Sequence, residues 1–343
     1  MTKTLDFILP AALEAHEPPE ARGLARDDVR LLVARRSVTE PGHHRFTELP
    51  DLLRPGDVLV VNTSGTLAAA VPVADSNLTV HFSTERPDHT WLVELRAGAG
   101  KATTPHVGGV AGQRYPLLGG GQVILRERYS RQRLWVAEVD TGAIGSVADY
   151  LGRHGSPIRY GYVPRSWPIS YYQTVFAIRP GSAEMPSASR PFTDRMISRL
   201  VSAGIGFAPI LLHTGVASPE AHERPYPERF AVSATSARIV NQARAAGGRI
   251  IAIGTTAVRA LESATGEDGV VRAAAGWTEL IITPERGVRV VDGLLTGFHE
   301  PAASHLDMLA AITDQPVLDR AYRAAIDHRY LWHEFGDVNL LLP

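Results

Sequence analysis

RIIAIGTTAVRALES, residues 249–263, decides the fold class. The apolar run Ile250 to Ile253 predicts a strand buried on both faces, which a parallel sheet covered by helices provides. Gly254-Thr255-Thr256 then turns the chain, and Ala257, Val258, Ala260 and Leu261 recur at helical spacing. A strand passing directly into a helix is half of a βαβ unit. The alternation continues on both sides. Upstream, Thr193 predicts a capped helix over 194–203, ended by Gly204, and a strand over 205–213; Ser233 predicts the cap of another helix, ended by Gly247-Gly248. Downstream, TELIITP (278–284), RVVDGLL (289–295) and VNLLL (338–342) read as strands, and 302–312 and 316–328 as helices. RPGDVLVVN (54–62) adds a turn followed by a buried strand.

From about Pro72 to Gly155 the texture differs. LTVHF, TWLVEL, QVILRERY and RLWVAEV are short alternating runs separated by turn formers, the pattern of an all-β module. Its long connection, Ala97 to Gly121, ends in three glycines and is expected to be a mobile loop.

Composition narrows the chemistry. The chain has 343 residues, 44% of them hydrophobic, enough for about two domains with real cores. Lys+Arg 35 against Asp+Glu 36 leaves a net charge of −1, so any nucleic-acid contact has to come from a local patch. A cysteine count of zero excludes disulfides, thiolate zinc sites, cysteine nucleophiles and iron–sulfur clusters, and with the last of these radical S-adenosylmethionine chemistry. No apolar run reaches the roughly 20 residues of a membrane helix, and no basic-then-apolar leader opens the chain; a soluble, cytoplasmic protein with no membrane partner is expected.

Several junctions carry groups suited to chemistry. Gly254-Thr255-Thr256 offers free N–H groups and hydroxyls for a carboxylate or phosphate, although a plain helix start has the same appearance. His213 and His299 stand at strand ends, where an imidazole can act as acid, base or ligand donor or simply face solvent. His299 and His305 are six apart, which matches no common metal motif, so no metal is expected. YYQTVFAIRPGSAEMPSASRPFT (171–193) is polar and rich in small residues, as a binding loop or an ordinary surface loop would be; its Glu184 is a candidate base. Asp337, after Gly336, suits either a ligand's amine or ribose or the turn that starts the last strand.

In order and spacing these segments resemble the S-adenosylmethionine:tRNA ribosyltransferase-isomerase family of queuosine synthesis. The blocks are LDFILPAALEAHEPPEAR with RDDVRLLV, FTELPDLLRPGDVLVVN, YYQTVFA with PGSAEMPSA, IAIGTTAVRALES, VVDGLLTGFHEP and the terminal FGD. The resemblance implies an α/β catalytic domain, residues 1–71 and 157–343, interrupted by a small β-barrel, residues 72–156. It also implies S-adenosylmethionine as a substrate whose C5′ proton is removed beside the sulfonium, with adenine and methionine expelled as the ribosyl group joins an aminomethyl-deazaguanine in tRNA. On that basis His213, His299, Asp337 and Glu228 are expected to serve catalysis. Gly254, Thr255, Thr256, Arg259, Phe298 and Gly336 are expected to bind the donor, and Asn62, Tyr172, Gln173 and Arg190 the acceptor.

The chain departs from that family at polar positions. Asp-Thr-Arg becomes Thr63-Ser64-Gly65, and Pro-Ala-Arg becomes Ala68-Ala69-Ala70. Ala-Gly-Leu-His-Phe becomes Ala188-Ser189-Arg190-Pro191-Phe192. Met-His-Ser-Glu becomes Pro225-Tyr226-Pro227-Glu228. Two arginines and two histidines are thus absent, while Arg159, Arg165 and Arg190 are available to compensate. The expectation is a donor-consuming enzyme whose acceptor is tRNA, a small molecule or none, acting as monomer or homodimer. The alternative is an inactive member that binds the nucleoside or RNA.

Overall fold

The computed structural model describes residues 5, 7–98, 103–130, 133–216, 226–301 and 303–343. The chain opens with strands β1 (Arg30–Arg35), β2 (Gly42–Arg45) and β3 (Val58–Asn62), then the short β4 (Ser64–Thr66). Seven strands follow: β5 (Ala70–Pro72), β6 (Leu78–Glu85), β7 (Trp91–Ala97), β8 (Thr104–Pro105), β9 (Arg114–Pro116), β10 (Gln122–Arg128) and β11 (Leu134–Asp140). After β12 (Arg179–Ser182), the chain completes its first sheet with β13 (Gly206–Leu212), β14 (Glu228–Val232), β15 (Ile250–Ile253), β16 (Ala274–Thr278), β17 (Gly293–Gly297) and β18 (Val338–Leu342).

Three sheets result. The largest runs β16-β14-β13-β3-β15-β17-β18-β1-β2, and β13, β3, β15 and β17 are mutually parallel. β3 lies inside this sheet and is buried along its whole length, which its Val-Leu-Val-Val run requires. One apolar core fills each face of the sheet, so helices cover both sides. β5 to β11 form the second sheet around a separate apolar core, and β4 pairs with β12 in a two-stranded ribbon. The fold is therefore α/β with a smaller barrel-like β unit. At the root of that unit, Ala70 and Ser156 exchange backbone hydrogen bonds at 2.9 Å, holding entry and exit side by side.

The expected caps are present: Thr193 and Ser233 side chains accept from Met196 and Ser236 N–H groups at 3.2 and 3.0 Å. Three segments differ from expectation. The 97–121 connection carries β8 and β9, anchored by buried Tyr115 and Leu117, rather than one continuous loop; residues 99–102 lie outside the described residues. Residues 279–284 are not a strand, because the Thr278 and Leu280 carbonyls accept from the Arg259 guanidinium at 3.0 and 2.9 Å. The strand expected over 289–295 starts at Gly293, because the Glu262 carboxylate takes the N–H groups of Arg289, Val290 and Val291.

Candidate active site

Strand direction brings the predicted residues to one edge of the large sheet. β3, β13, β15 and β17 end there, while β1 and β18 begin there, since Val338 pairs with both Gly297 and Leu31. Asn62, His213, Gly254, His299 and Asp337 therefore line the carboxyl-end edge, where ligands of open α/β sheets gather. The edge is long. His213 and Asp337 are four strand intervals apart, about 19 Å at the usual spacing of about 4.8 Å.

A hydrogen-bonded chain occupies one half of this edge. Asn62 donates to Thr256 Oγ1 at 3.3 Å and to the Leu212 carbonyl at 2.8 Å, while its Oδ1 accepts from the Leu212 and Ser64 N–H groups. Ser64 Oγ in turn shares hydrogen bonds with Ser182 Oγ at 2.6 Å and His213 Nδ1 at 2.7 Å. The glycine–threonine turn is thus wired to His213. Gly254 adopts a φ of 87°, a conformation that favours glycine, and starts the helix Thr255–Ser263. Asn62 is fully buried with both ends of its amide bonded within the protein, so it joins strands rather than facing an acceptor.

His213 opens onto a cleft of about 420 Å³ between the two sheets, walled by Leu67, Trp91, Ser146, Gly181 and Arg229. This volume lies within the range of about 300–1,000 Å³ typical of small-molecule sites. Burial, reinforced by Arg229 and Arg179, holds the His213 imidazole down to about 4, so it is neutral at pH 7. Glu85 and His89 also line the cleft. Gly181 leaves room for the ring, because a Cβ on it would stand 2.5 Å from His213 Nδ1.

The segment 179–191 runs as a strap along the edge. Ser182 bonds Ser64 and the Thr214 N–H, Ala188 packs against Gly254, and Ser187, Arg190 and Pro191 line a small cavity with Gly297 and Asp337. At this far half, His299 Nε2 shares a 3.0 Å hydrogen bond with Thr296 Oγ1, its ring stacks on His305, and burial holds it well below its ordinary value. Asp337 accepts from the Arg30 and Leu331 N–H groups, both at 2.8 Å, and from the Arg30 guanidinium. Gly336 passes so close to the preceding turn that a Cβ would stand 2.6 Å from the Trp332 carbonyl oxygen.

Other predicted residues are engaged inside the protein. Arg259 pairs with half-buried Glu228, and its remaining donors reach the carbonyls of Tyr226, Thr278 and Leu280. Burial raises the Glu228 carboxyl despite that partner. Arg190, almost wholly buried, binds Glu20 at 2.8 Å and the Tyr171 carbonyl at 2.9 Å. Gln173 clamps the backbone of Thr66 through both ends of its amide, at 2.8 and 3.0 Å. Phe298 packs among Tyr322, Tyr330 and Trp332, and Tyr172 packs beside Phe335. Apart from Pro225, which lies outside the described residues, every residue singled out is placed.

The structure adds a cluster that the sequence reading did not identify. His333 and Glu334 precede the Gly336-Asp337 step, and Tyr162 stacks on the His333 ring at 3.8 Å and hydrogen-bonds Glu334. Burial pushes the Glu334 carboxyl up to about 7 and holds the His333 imidazole down to about 4. The available signal was a His-Glu pair two residues before the Gly336-Asp337 step that the sequence reading had already singled out. Among the described residues no group of three or more His, Cys, Asp or Glu side chains is placed to hold a metal ion, and no helix is long and apolar enough to cross a membrane.

A family described as queuosine biosynthesis protein matches residues 2–341. The S-adenosylmethionine:tRNA ribosyltransferase-isomerase of Desulfitobacterium hafniense is 31% identical, the alignment covering 98% of each chain. The enzyme of the same name from Thermus thermophilus is 33% identical at the same coverage. In fold, the chain is similar to the crystal structure of S-adenosylmethionine tRNA ribosyltransferase from Thermotoga maritima, with a TM-score of 0.54, 25% identity and coverage of 98% of this chain and 99% of that one. Matched along its whole length in sequence and in fold, the chain belongs to the queuosine biosynthesis protein family.

Proposed function

We propose that this protein consumes S-adenosylmethionine as a ribosyl donor, removing a C5′ proton and releasing adenine and methionine, and that its recognition of a tRNA acceptor is weakened. The observation that carries this reading is the His213 cleft at the carboxyl-end edge, wired through Ser64 and Asn62 to the Gly254-Thr255-Thr256 turn, in a chain matched end to end by enzymes whose name states the donor.

The first-turn N–H groups of the helix Thr255–Ser263 and the threonine hydroxyls suit the donor's carboxylate. His213, neutral and held by Ser64, accepts a hydrogen bond from the donor's ribose or amine through Nε2. An imidazole held near 4 is a poor proton acceptor at neutral pH, so His213 orients rather than deprotonates. Arg259 and Glu228 act through the framework: their pair fixes the helix that carries the turn. Asp337 and Gly336 fix the far end of the edge through Arg30 and the chain turn.

On the acceptor side, Gly65 is buried in the β4–β12 ribbon, against Pro180 and Gln173, and Ala70 is buried at the root of the barrel-like unit. Neither site presents a guanidinium to a phosphate or base edge. Incubating the purified protein with S-adenosylmethionine, alone and then with tRNA bearing the aminomethyl-deazaguanine, and quantifying adenine and methionine tests the reading. Release of both products supports it. Unchanged donor under both conditions contradicts it and favours a binding protein without turnover.

A further inference from the structure

Glu334 separates two cavities, and its geometry is unlike that of any other acid at the edge. One cavity is bordered by Ser187, Arg190, Gly297 and Asp337; the other by Thr66, Tyr160, Tyr172 and Glu184; Glu334 lines both. Each has a volume of about 10 Å³, at the lower limit of about 10–15 Å³ needed for a single water. Glu334 Oε2 is shielded from solvent and has no hydrogen-bond partner among the described residues, while the carboxyl is held through Tyr162. A shielded carboxylate oxygen without a donor is costly, and a proton or a bridging water removes that cost.

We propose that Glu334 is the acid–base residue of this edge, taking up a proton and returning it through single waters in the two flanking cavities. The proposal rests on the preceding reading for the identity of the reaction. When the donor's C5′–H bond breaks, the electron pair stays on carbon beside the sulfonium, and the proton passes by way of a water to the Glu334 carboxylate, which becomes a carboxylic acid.

The surroundings suit a group that changes charge. Tyr162 and Tyr172 face it as neutral phenols, both held above their ordinary value by burial. Arg190, paired with Glu20, acts on the Glu334 carboxyl as a cation and favours its ionised form. Arg159 lies beyond Tyr172, and Glu184 across the second cavity is bonded by the Tyr160 hydroxyl. On the other side, His333 Nδ1 lies 3.8 Å from Glu300 and its Nε2 lies 4.0 Å from Glu14, with His16 nearby. Burial is what favours the protonated form of Glu334, against the opposing pull of the Tyr162 hydrogen bond and the Arg190 charge. One backbone step joins the linings of the second cavity and the donor cleft, since Thr66 lines the former and Leu67 the latter. A carboxyl that exchanges its proton near neutral pH matches the operating range of a general base better than His213 does.

Two measurements test this, one of them independent of turnover. Infrared difference spectra of the unliganded protein between about pH 5 and 9 should show a protonated-carboxyl band that titrates near neutrality and is missing from Glu334→Gln. In adenine release, wild-type kcat should rise with pH through the same range; Glu334→Gln should lower it at least ~100-fold, abolish the inflection and leave KM for S-adenosylmethionine within about threefold. Glu334→Asp should retain an inflection. A carboxyl ionised throughout, or a Glu334→Gln enzyme with wild-type rate and pH profile, overturns the proposal. A titrating carboxyl in a protein that releases no adenine counts against the reaction of the preceding subsection, while supporting proton uptake by Glu334.

Discussion

Gly181 lacks a side chain where the His213 imidazole packs against the strap, and this contact fixes the geometry of the cleft. Gly181→Ala would push the ring off Ser64. The expected result is a loss of adenine release of about tenfold or more with the fold retained, measured by product assay alongside circular dichroism; unchanged turnover would show that the imidazole's position is immaterial. The depressed imidazoles also make a stability prediction. His213 and His333 titrate near 4 in the fold, and near ~6.5 in the unfolded chain. Between those limits the unfolded chain binds more protons, so stability falls as pH drops from about 6.5 toward 4. Thermal melts across that range should show the fall in the wild type and a shallower one in His213→Gln. At this scale the sequence was only half legible. Strand-end positions of His213, His299 and Asp337 followed from the hydrophobic pattern, but their partners did not, because Ser64, Thr296 and Arg30 become neighbours only through sheet pairing. Pro191 shows the same limit: the resemblance marks it as the place of an expected imidazole, while the cavity it lines is also lined by His333 and Glu334 from another strand end.

Among the elements, the helix Thr255–Ser263 is held by charge as well as by apolar packing. Arg259 ties it to β14 through Glu228 and to the end of β16 through two carbonyls, and Glu262 caps the backbone of 289–291. Those side chains explain why TELIITP and RVVDGLL, both apolar enough to read as strands, leave the sheet: their polar backbone groups find side-chain partners instead of a ladder. Periodicity cannot reveal such a competitor. Glu228→Gln leaves a buried guanidinium without its counter-charge, and the expected loss is about 3–5 kcal/mol, read from urea denaturation. A variant as stable as the wild type would mean that the three carbonyls suffice for Arg259.

For the whole molecule, the division into an α/β sheet and a barrel-like β unit was legible because alternation with period 2 and strand–helix alternation leave different textures. The arrangement of the edge was not legible, since it depends on which strands run parallel. The clasp at Ala70 and Ser156 and the β4–β12 ribbon that holds Gly65 join the barrel-like unit to the rest of the fold, and on the reading proposed above Gly65 and Ala70 lack the guanidinium groups that an acceptor would need. Little ribosyl transfer to tRNA bearing the aminomethyl-deazaguanine is therefore expected. The space around Gly65 admits a Cβ at ordinary contact distances of 3.5 Å or more. Gly65→Arg combined with Pro191→His should raise that transfer, measured as labelled ribosyl incorporated into tRNA; no gain would place the acceptor determinants elsewhere.

The central claim, consumption of S-adenosylmethionine by loss of its C5′ proton and its adenine, is tested most directly by incubating the purified protein with donor carrying deuterium at C5′ and following the released products by mass spectrometry. Adenine and methionine appearing in equal amounts, with one C5′ deuterium lost from the ribosyl product, is the predicted result. Intact, fully deuterated donor after prolonged incubation with and without tRNA, or S-adenosylhomocysteine as the product, would contradict it.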